Sequence, residues 1–339
     1  MKVVDMHCDT ISEIWYSRDN IGESEYDDLG GPQELRKNRL QIDIERMEKG
    51  DYFMQNFAMF VNMNNGLDPL ECALKLIDIF YEEMEKNADK ILPVKCWADI
   101  EEARRSGKMA AMITLEEGQV TKGNLQYLRD LYRLGARMMT LTWNHENDLA
   151  YPNLVSKDPR TVYPFHPVED HGLKEKGIEL VEECERIGMI LDVSHLSDGG
   201  FYDLYEHTKK PFVASHSNAR AVCGHCRNLT DDMIRKIGER GGVIGLNYCA
   251  SFLEEGETKE ACRSRVSFMA RHARHITNVG GMDCLGLGSD FDGISGNLEM
   301  DECSKLPMLE AALMLEGFRE SEIEKIFNGN VLRLYRELL

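Results

Sequence analysis

Short apolar runs alternate with longer segments of helical periodicity along nearly the whole chain. Eight runs have the length and composition of buried strands, and each is followed by a helical segment or by a loop and a helix. The predicted strands are 1–6, 53–61, 109–115, 137–142, 189–193, 211–214, 242–247 and 284–287. This alternation is typical of a (β/α)8 TIM-type barrel, although a doubly wound open sheet shows it too.

Helices are predicted between these strands. Residues 68–86 have apolar positions near helical spacing, and Asp68 followed by Pro69 opens the first turn. The other predicted helices are 124–134, 172–187, 199–207, 231–239, 260–278, 308–315 and 321–338. No linker or repeat divides the sequence, so we expect residues 1–339 to form a single barrel domain with carboxyl-terminal helices. The long stretch 151–170 suits a flap over a site.

Candidate metal ligands follow five of the predicted strands. They are His7 and Asp9, Glu116, His195, His216 and Asp290. Side chains from five different strand ends converge only if the sheet closes, which favours the barrel over the open sheet. Two ions bridged by a carboxylate generate hydroxide near neutral pH and polarise a carbonyl or phosphoryl oxygen. The pattern therefore predicts a binuclear metal site that performs hydrolysis.

Single fragments of this pattern are weak signals. His7 and Asp9 lie two residues apart and face the same side of a strand, but a surface turn would also explain such a pair. The Ser-His sequence that ends in His195 recurs at His216, and this repetition favours joint binding of one ion by neutral imidazoles. Asp292 suits an Asx-turn beside Gly293 as well as it suits a functional role.

Composition narrows the class of protein. The net charge of −19, from 59 acidic and 40 basic residues, argues against nucleic acid or an anionic membrane as a partner. No apolar run approaches the roughly 20 residues that cross a bilayer, and no export signal is visible, so we expect a cytoplasmic protein. The ten cysteines are expected to be reduced packing residues. The sequence allows a homodimer without requiring one.

The motifs together resemble those of the membrane (renal) dipeptidase family of zinc metallopeptidases, and most closely its bacterial cytoplasmic members. The resemblance covers essentially the whole chain. It rests on His-x-Asp near the start, Leu115-Glu116, Asp192-Val193-Ser194-His195, Ser215-His216-Ser217, Arg227-Asn228 and the run from Gly288 to Gly293.

The resemblance implies an amidohydrolase-like barrel with two zinc ions and small dipeptides as substrates, with tolerance for a D-residue at the carboxyl-terminal position. His7 and Asp9 would bind the first ion, His195 and His216 the second, and Glu116 would bridge them. Asp290 would sit beside the first ion and exchange protons with the metal-bridging hydroxide and the leaving amine. Arg227 would bind the substrate carboxylate, and Tyr248 resembles a substrate-site tyrosine that would equally suit the rim.

Two positions depart from the family pattern. Glu116-Glu117-Gly118 stands where many members have Glu-Gly-Gly, and register with Leu115 favours Glu116 as the bridge. Trp143 occupies the place of a substrate-contacting histidine, and His145 either takes over that role or is an ordinary loop residue.

Other readings of the site remain open at this point. A deaminase or phosphotriesterase-like hydrolase would usually show His-x-His on the first strand, where this chain has Asp9. A non-catalytic metal-binding barrel would not require Asp290 or Arg227. Manganese or cobalt would also suit these ligands.

Overall fold

The computed structural model describes residues 1–19, 21, 24–26, 28–154 and 171–339. Within these residues, nine parallel strands form one sheet. They are β1 (Val3–Asp5), β2 (Tyr52–Phe60), β3 (Ile91–Pro93), β4 (Met109–Glu116), β5 (Ala136–Thr140), β6 (Ile190–Asp192), β7 (Val213–Ala214), β8 (Val243–Leu246) and β9 (Leu285–Leu287). Most of the predicted flap at 151–170 lies outside the described residues.

The sheet closes on itself. Its strands run in the order β2-β1-β9-β8-β7-β6-β5-β4, and β2 also pairs with β4 from Met54 opposite Ala110 to Phe60 opposite Glu116. The additional strand β3 pairs with the start of β4. Eight strands thus form a closed parallel ring, and the predicted (β/α)8 barrel is confirmed.

Helices surround the ring. They are α1 (Thr10–Asp19), α2 (Ile44–Lys49), α3 (Pro69–Lys86), α4 (Trp97–Ser106), α5 (Leu125–Leu134), α6 (Glu175–Ile187), α7 (Asp198–His207), α8 (Asp231–Glu239), α9 (Ala250–Leu253), α10 (Val266–Gly280), α11 (Leu306–Leu315), α12 (Glu320–Glu324) and α13 (Asn330–Leu338). Asp68 caps α3 as predicted, because its side chain accepts hydrogen bonds from the backbone of Leu70 and Glu71. The sequence reading missed α1, α2, α4, α9 and the strand β3, and the predicted helix at 321–338 is divided by a π-helical turn, Lys325–Gly329.

Alternate residues of the strands fill the barrel interior. Ala110 and Met112 of β4 belong to this inner cluster together with Met138, Ile190 and Tyr335, the last from α13. Glu116 continues the same alternation and therefore faces inward at the carboxyl end of β4. The inner core thus occupies the amino-terminal part of the barrel, and the carboxyl-terminal mouth is left for polar side chains.

Candidate active site

Six side chains meet at the carboxyl-terminal mouth, and Glu116 lies at their centre. Its Oε2 is 3.3 Å from Nε2 of His7, while its Oε1 is 3.2 Å from Nε2 of His195 and 3.7 Å from Nε2 of His216. The two oxygens of one carboxylate therefore face two different groups of potential ligands. All six residues predicted as metal ligands are brought together.

The ligand atoms form three overlapping groups, in each of which they lie within 4.8 Å of one another. These groups are His7 with His216 and Asp290, Glu116 with His195 and His216, and His7 with Asp9 and Glu116. Within the described ranges, Nε2 of His7 and Oδ1 of Asp9 are buried without a hydrogen-bond partner. Imidazole nitrogens and carboxylate oxygens in such groups fit divalent transition metals, and buried polar atoms without partners are what bound ions would satisfy.

The protonation of the two later histidines suits metal binding. Burial, reinforced by the positive charge of Arg227, lowers the pKa of His195 to about 3. Burial, together with the neighbouring His7, lowers the pKa of His216 well below its ordinary value. Both imidazoles are therefore neutral near pH 7, which is the form that binds metal.

A carboxylate behind the site orients His216. Ser215 Oγ donates a hydrogen bond to Oδ2 of Asp192 and lies 2.8 Å from Nδ1 of His216. Since the single hydroxyl hydrogen is directed to Asp192, Nδ1 of His216 must donate to Ser215, and Nε2 is left with a free lone pair facing the cluster. Asp192 is itself fixed by the backbone N–H groups of Ser194 and Ser215 at 3.0 and 2.9 Å.

Two other ligands are fixed by amide side chains. Nδ1 of His195 is 2.8 Å from Oδ1 of Asn144, and Nδ2 of Asn247 donates to Oδ2 of Asp290 at 2.9 Å. His195 and Asp290 both adopt the left-handed backbone conformation, with φ of 69° and 63°. These conformations are unfavourable for residues other than glycine and occur often at functional sites.

Two acidic residues next to the ligands have structural roles. Glu117 faces away from the metal cluster and accepts hydrogen bonds from the backbone of Trp143 at 2.9 Å and Gln119 at 2.8 Å. Asp292 is fully buried and accepts from Thr10 Oγ1 and from the backbone N–H of Gln41, each at 2.6 Å. These hydrogen bonds give Asp292 a structural role, which explains its burial.

A cavity of about 460 Å³ opens above the cluster, and its wall includes Asp9, Glu116, His195 and Asp290. Arg227 also lines it and is 1% exposed. Its Nη2 donates to the backbone carbonyl of His216 at 3.3 Å, while Nε and Nη1 have no hydrogen-bond partner in the part of the chain that the structure describes. A buried guanidinium with unpaired donors suits a carboxylate ligand.

The remaining predicted site residues lie in different environments. Trp143 and His145 line the cavity, where the Trp143 ring packs edge-on against Phe60 with centroids 4.9 Å apart. His145 is half-buried, and its Nε2 has no hydrogen-bond partner among the described residues. Tyr248 is fully buried against Phe291 and is not part of the cavity wall that the structure describes.

Sequence reasoning missed several residues that support or line the site. It assigned no role to Asn144, Asn247 or Glu13. Asn144 follows β5 and Asn247 follows β8, and this position at a strand end is the signal that was available for both. Glu13 lies within a helix, where a glutamate is ordinary and gives no such signal.

Comparison with known proteins decides the family. A family model described as membrane dipeptidase (peptidase family M19) matches residues 1–338. The chain belongs to the membrane dipeptidase family. It is therefore a metallopeptidase of the dipeptidase class.

Two curated relatives of this family member are named as dipeptidases. Dipeptidase tcpJ of Claviceps purpurea is 30% identical over 307 residues, which cover 88% of this chain and 69% of the relative. Dipeptidase verJ of Clonostachys rogersoniana is 31% identical over 268 residues, which cover 79% of this chain and 65% of the relative. The family member thus spans about two thirds of the length of these relatives.

The fold is shared with a solved metallopeptidase from Rhodobacter sphaeroides, which is liganded with a phosphinate mimic of the dipeptide L-Ala-D-Ala. The TM-score is 0.83 at 24% identity, and the match covers 100% of this chain and 99% of that one. In the described residues of the family member, no helix combines the length and the apolar character needed to span a membrane.

Proposed function

We propose that this family member is a zinc-dependent dipeptidase that holds two zinc ions bridged by Glu116. The observation that carries the proposal is the position of Glu116, whose two carboxylate oxygens face separate groups of imidazole and carboxylate donors. His7 and Asp9 would hold the first ion, and His195 and His216 the second. When bound, the ions would supply Lewis acidity for the scissile carbonyl and would lower the pKa of water.

Asp290 is the proposed proton carrier. Its Oδ1 is 3.7 Å from Nε2 of His7, and the hydrogen bond from Asn247 to Oδ2 directs the carboxyl group toward the ligand cluster. At this position it would accept a proton from the attacking water and deliver it to the leaving amine. General acid–base catalysis of this kind contributes roughly 10²–10⁴-fold to a rate.

Arg227 is the proposed binding group for the substrate carboxylate. It is buried at the cavity wall with Nη1 unpartnered, and Nη2 uses only one of its two hydrogens for His216, so Nη1 and Nη2 could bind the two carboxylate oxygens side by side. A free carboxylate lies one residue beyond the scissile bond in every dipeptide, so this contact would place the peptide bond of a dipeptide over the ligand cluster. Tolerance for a D-residue at that position is part of the proposal, and the dipeptide mimic in the Rhodobacter sphaeroides structure supports it for that protein.

His145 and Trp143 would complete the substrate side of the cavity. Burial lowers the pKa of His145, so the neutral imidazole is the form present near pH 7. Its partnerless Nε2 would bind the oxygen that becomes negative during attack on the carbonyl. Trp143 would contact the substrate through its ring. Tyr248 is fully buried, so it would act on the substrate indirectly, by supporting the residues of the cavity wall. The cytoplasmic location, the homodimer and the single domain over residues 1–339 stay predictions from the sequence.

The test compares metal-free and zinc-loaded protein on a panel of L,L and L,D dipeptides, with released amino acids and bound zinc measured together. We expect hydrolysis that requires zinc and saturates near two ions per chain. Asp290→Asn should lower kcat by roughly 10²-fold or more, whereas Asp283→Asn, an exposed aspartate paired with Lys325, should leave it unchanged. Fully zinc-loaded protein that hydrolyses no dipeptide would disprove the function.

A further inference from the structure

The cavity has a second charged region, on the side away from Arg227. Arg227 lies in the segment after β7, and Glu13 lies in α1, directly after β1. Around the ring, β7 and β1 are separated by β8 and β9, so the two residues stand three strands apart in a ring of eight. A substrate whose carboxylate binds Arg227 and whose peptide bond lies over Glu116 would extend its amino-terminal residue toward the far side of the ring, where the end of β2 packs against α1.

Two carboxylates form this region of the wall. Glu13 is 2% exposed and lines the cavity, and Glu25 lines it as well. Oε1 of Glu13 accepts the backbone N–H of Glu25 at 3.0 Å, and Oε2 accepts the hydroxyl of Ser24 at 2.5 Å. A carboxylate can accept about four hydrogen bonds, so Glu13 retains capacity for a further donor. In the described part of the chain, no cation is paired with either carboxylate.

Two aromatic side chains, Tyr16 and Phe60, line the same cavity as these carboxylates. Tyr16 is three residues after Glu13 in α1, so it lies on the same face of the helix, and it lines the cavity. Ser12 Oγ donates to the backbone carbonyl of Phe60 at 3.4 Å, which brings the end of β2 against α1. The wall therefore offers apolar ring surface next to two carboxyl groups. Burial raises the pKa of Glu13 to about 7, and a bound cation would favour its charged form. An aliphatic stem that ends in a cation matches both features.

We propose that this wall, formed by Glu13, Glu25, Tyr16 and Phe60, binds a cationic side chain of the lysine or arginine type on the amino-terminal residue of the dipeptide. The inference rests on the proposed dipeptidase function and on Arg227 as the group that orients the substrate. Glu13 and Glu25 bind the terminal ammonium or guanidinium group, and the two rings contact the stem. Glu13 is thus a specificity-determining residue for the amino-terminal position.

The test uses the substrates L-lysyl-L-alanine and L-norleucyl-L-alanine with the zinc-loaded protein. The two share the α-amino group and the aliphatic stem and differ in the terminal ammonium group. We expect kcat/KM for the lysyl substrate to exceed that for the norleucyl substrate by roughly tenfold or more, as for one charge-assisted hydrogen bond. Glu13→Gln, which keeps the size of the side chain and an acceptor for Ser24, should reduce this ratio to about threefold or less.

Two further variants separate charge from structure. Ser24→Ala removes a partner of Glu13 but keeps the carboxylate, so the preference should persist. Glu25→Gln changes an exposed side chain, should lower the ratio about threefold, and carries the test if Glu13→Gln does not fold. Equal loss of the ratio in Ser24→Ala and Glu13→Gln would overturn the assignment of charge.

The outcomes distinguish the two proposals. A wild-type protein that hydrolyses both substrates without preferring lysine would refute the specificity and leave the dipeptidase function intact. Equal loss of both activities in Glu13→Gln would show that Glu13 binds the α-amino group or supports the fold, and this too would refute the specificity. If neither substrate is hydrolysed by zinc-loaded wild type, the proposed function is wrong and the specificity fails with it.

Discussion

The adjacent glutamates Glu116 and Glu117 give the sharpest test of the site, because substituting each by glutamine should have opposite consequences. Glu116 faces the ligand cluster from the inner side of the barrel, and Glu117 faces the polypeptide around it. We expect Glu116→Gln to weaken metal binding and abolish hydrolysis. Glu117→Gln should instead weaken the fold and leave both metal sites occupied.

The expected loss of stability in Glu117→Gln follows from the hydrogen bonds that the Glu117 carboxylate accepts. Oε2 accepts from Trp143 N at 2.9 Å, and Oε1 accepts from Gln119 N at 2.8 Å and from Asn147 Nδ2 at 2.5 Å. The glutamine oxygen can serve only one side, so an amide N–H₂ group would face the Trp143 N–H. One lost charge-assisted bond and one unsatisfied buried donor cost about 3 kcal/mol together. Burial raises the pKa of Glu117, because the charged carboxylate is desolvated in the fold. Removing that charge therefore offsets part of the cost, and the net loss in the free energy of unfolding is about 2 kcal/mol.

The assay measures bound zinc in the loaded proteins and the free energy of unfolding of the metal-free proteins in urea. We expect Glu117→Gln to retain two ions per chain and to unfold about 2 kcal/mol more easily. Glu116→Gln should lose zinc affinity, because the amide replaces one of the two carboxylate oxygens that face the ligand groups. The reasoning would be refuted if Glu117→Gln lost its zinc and Glu116→Gln kept both ions.

Two further variants test the cavity and the segment that carries Arg227. Arg227→Lys keeps the charge but removes the planar pair of donors, so KM for dipeptides should rise roughly 10–100-fold. An unchanged KM would contradict the carboxylate contact. His272 is buried, its Nδ1 accepts from Ala219 N at 3.1 Å, and burial lowers its pKa to about 4. In the unfolded chain a histidine has a pKa of about 6.5. The free energy of unfolding should therefore fall by up to about 3 kcal/mol as the pH drops from that value toward the pKa of His272 in the fold. Urea unfolding of wild type and His272→Gln across this range measures the contribution.

The control for the pH experiment is His207→Gln, because His207 is more exposed and pairs with Glu182 at the surface. The effect of His272→Gln on the pH dependence of unfolding is measured relative to this variant. If His272→Gln retained the full wild-type dependence, the assignment to His272 would be wrong.

The eight strands of the ring were predictable because each is an apolar run followed by polar residues. Helix α3 was predictable because Asp68 caps an amphipathic segment. Helix α1 was missed because the polar residues Thr10, Ser12 and Glu13 are buried together with its apolar residues, so the sequence shows no separate polar and apolar faces. Strand β3 has three residues and ends at Pro93, which is too short for any periodicity to appear.

The candidate ligands were predictable from their places at strand ends, but their surroundings were not. Alternation along β4 selects Glu116 over Glu117, since only one of two neighbours can face the barrel interior. The position of Glu13 depends on how α1 packs against β2, and the sequence carries no sign of that contact. The burial of Tyr248 behind the cavity wall likewise depends on its packing with Phe291.

The left-handed conformations of His195 and Asp290 carry a consequence for protein engineering. Each costs roughly 1–2 kcal/mol relative to a favourable backbone conformation, and glycine would relieve this. A library of variants screened for heat resistance alone would therefore enrich glycine at these positions and discard two proposed ligand or proton-carrying groups. Selection for turnover and selection for stability oppose each other at these residues. Thermostabilisation of this enzyme should leave them fixed.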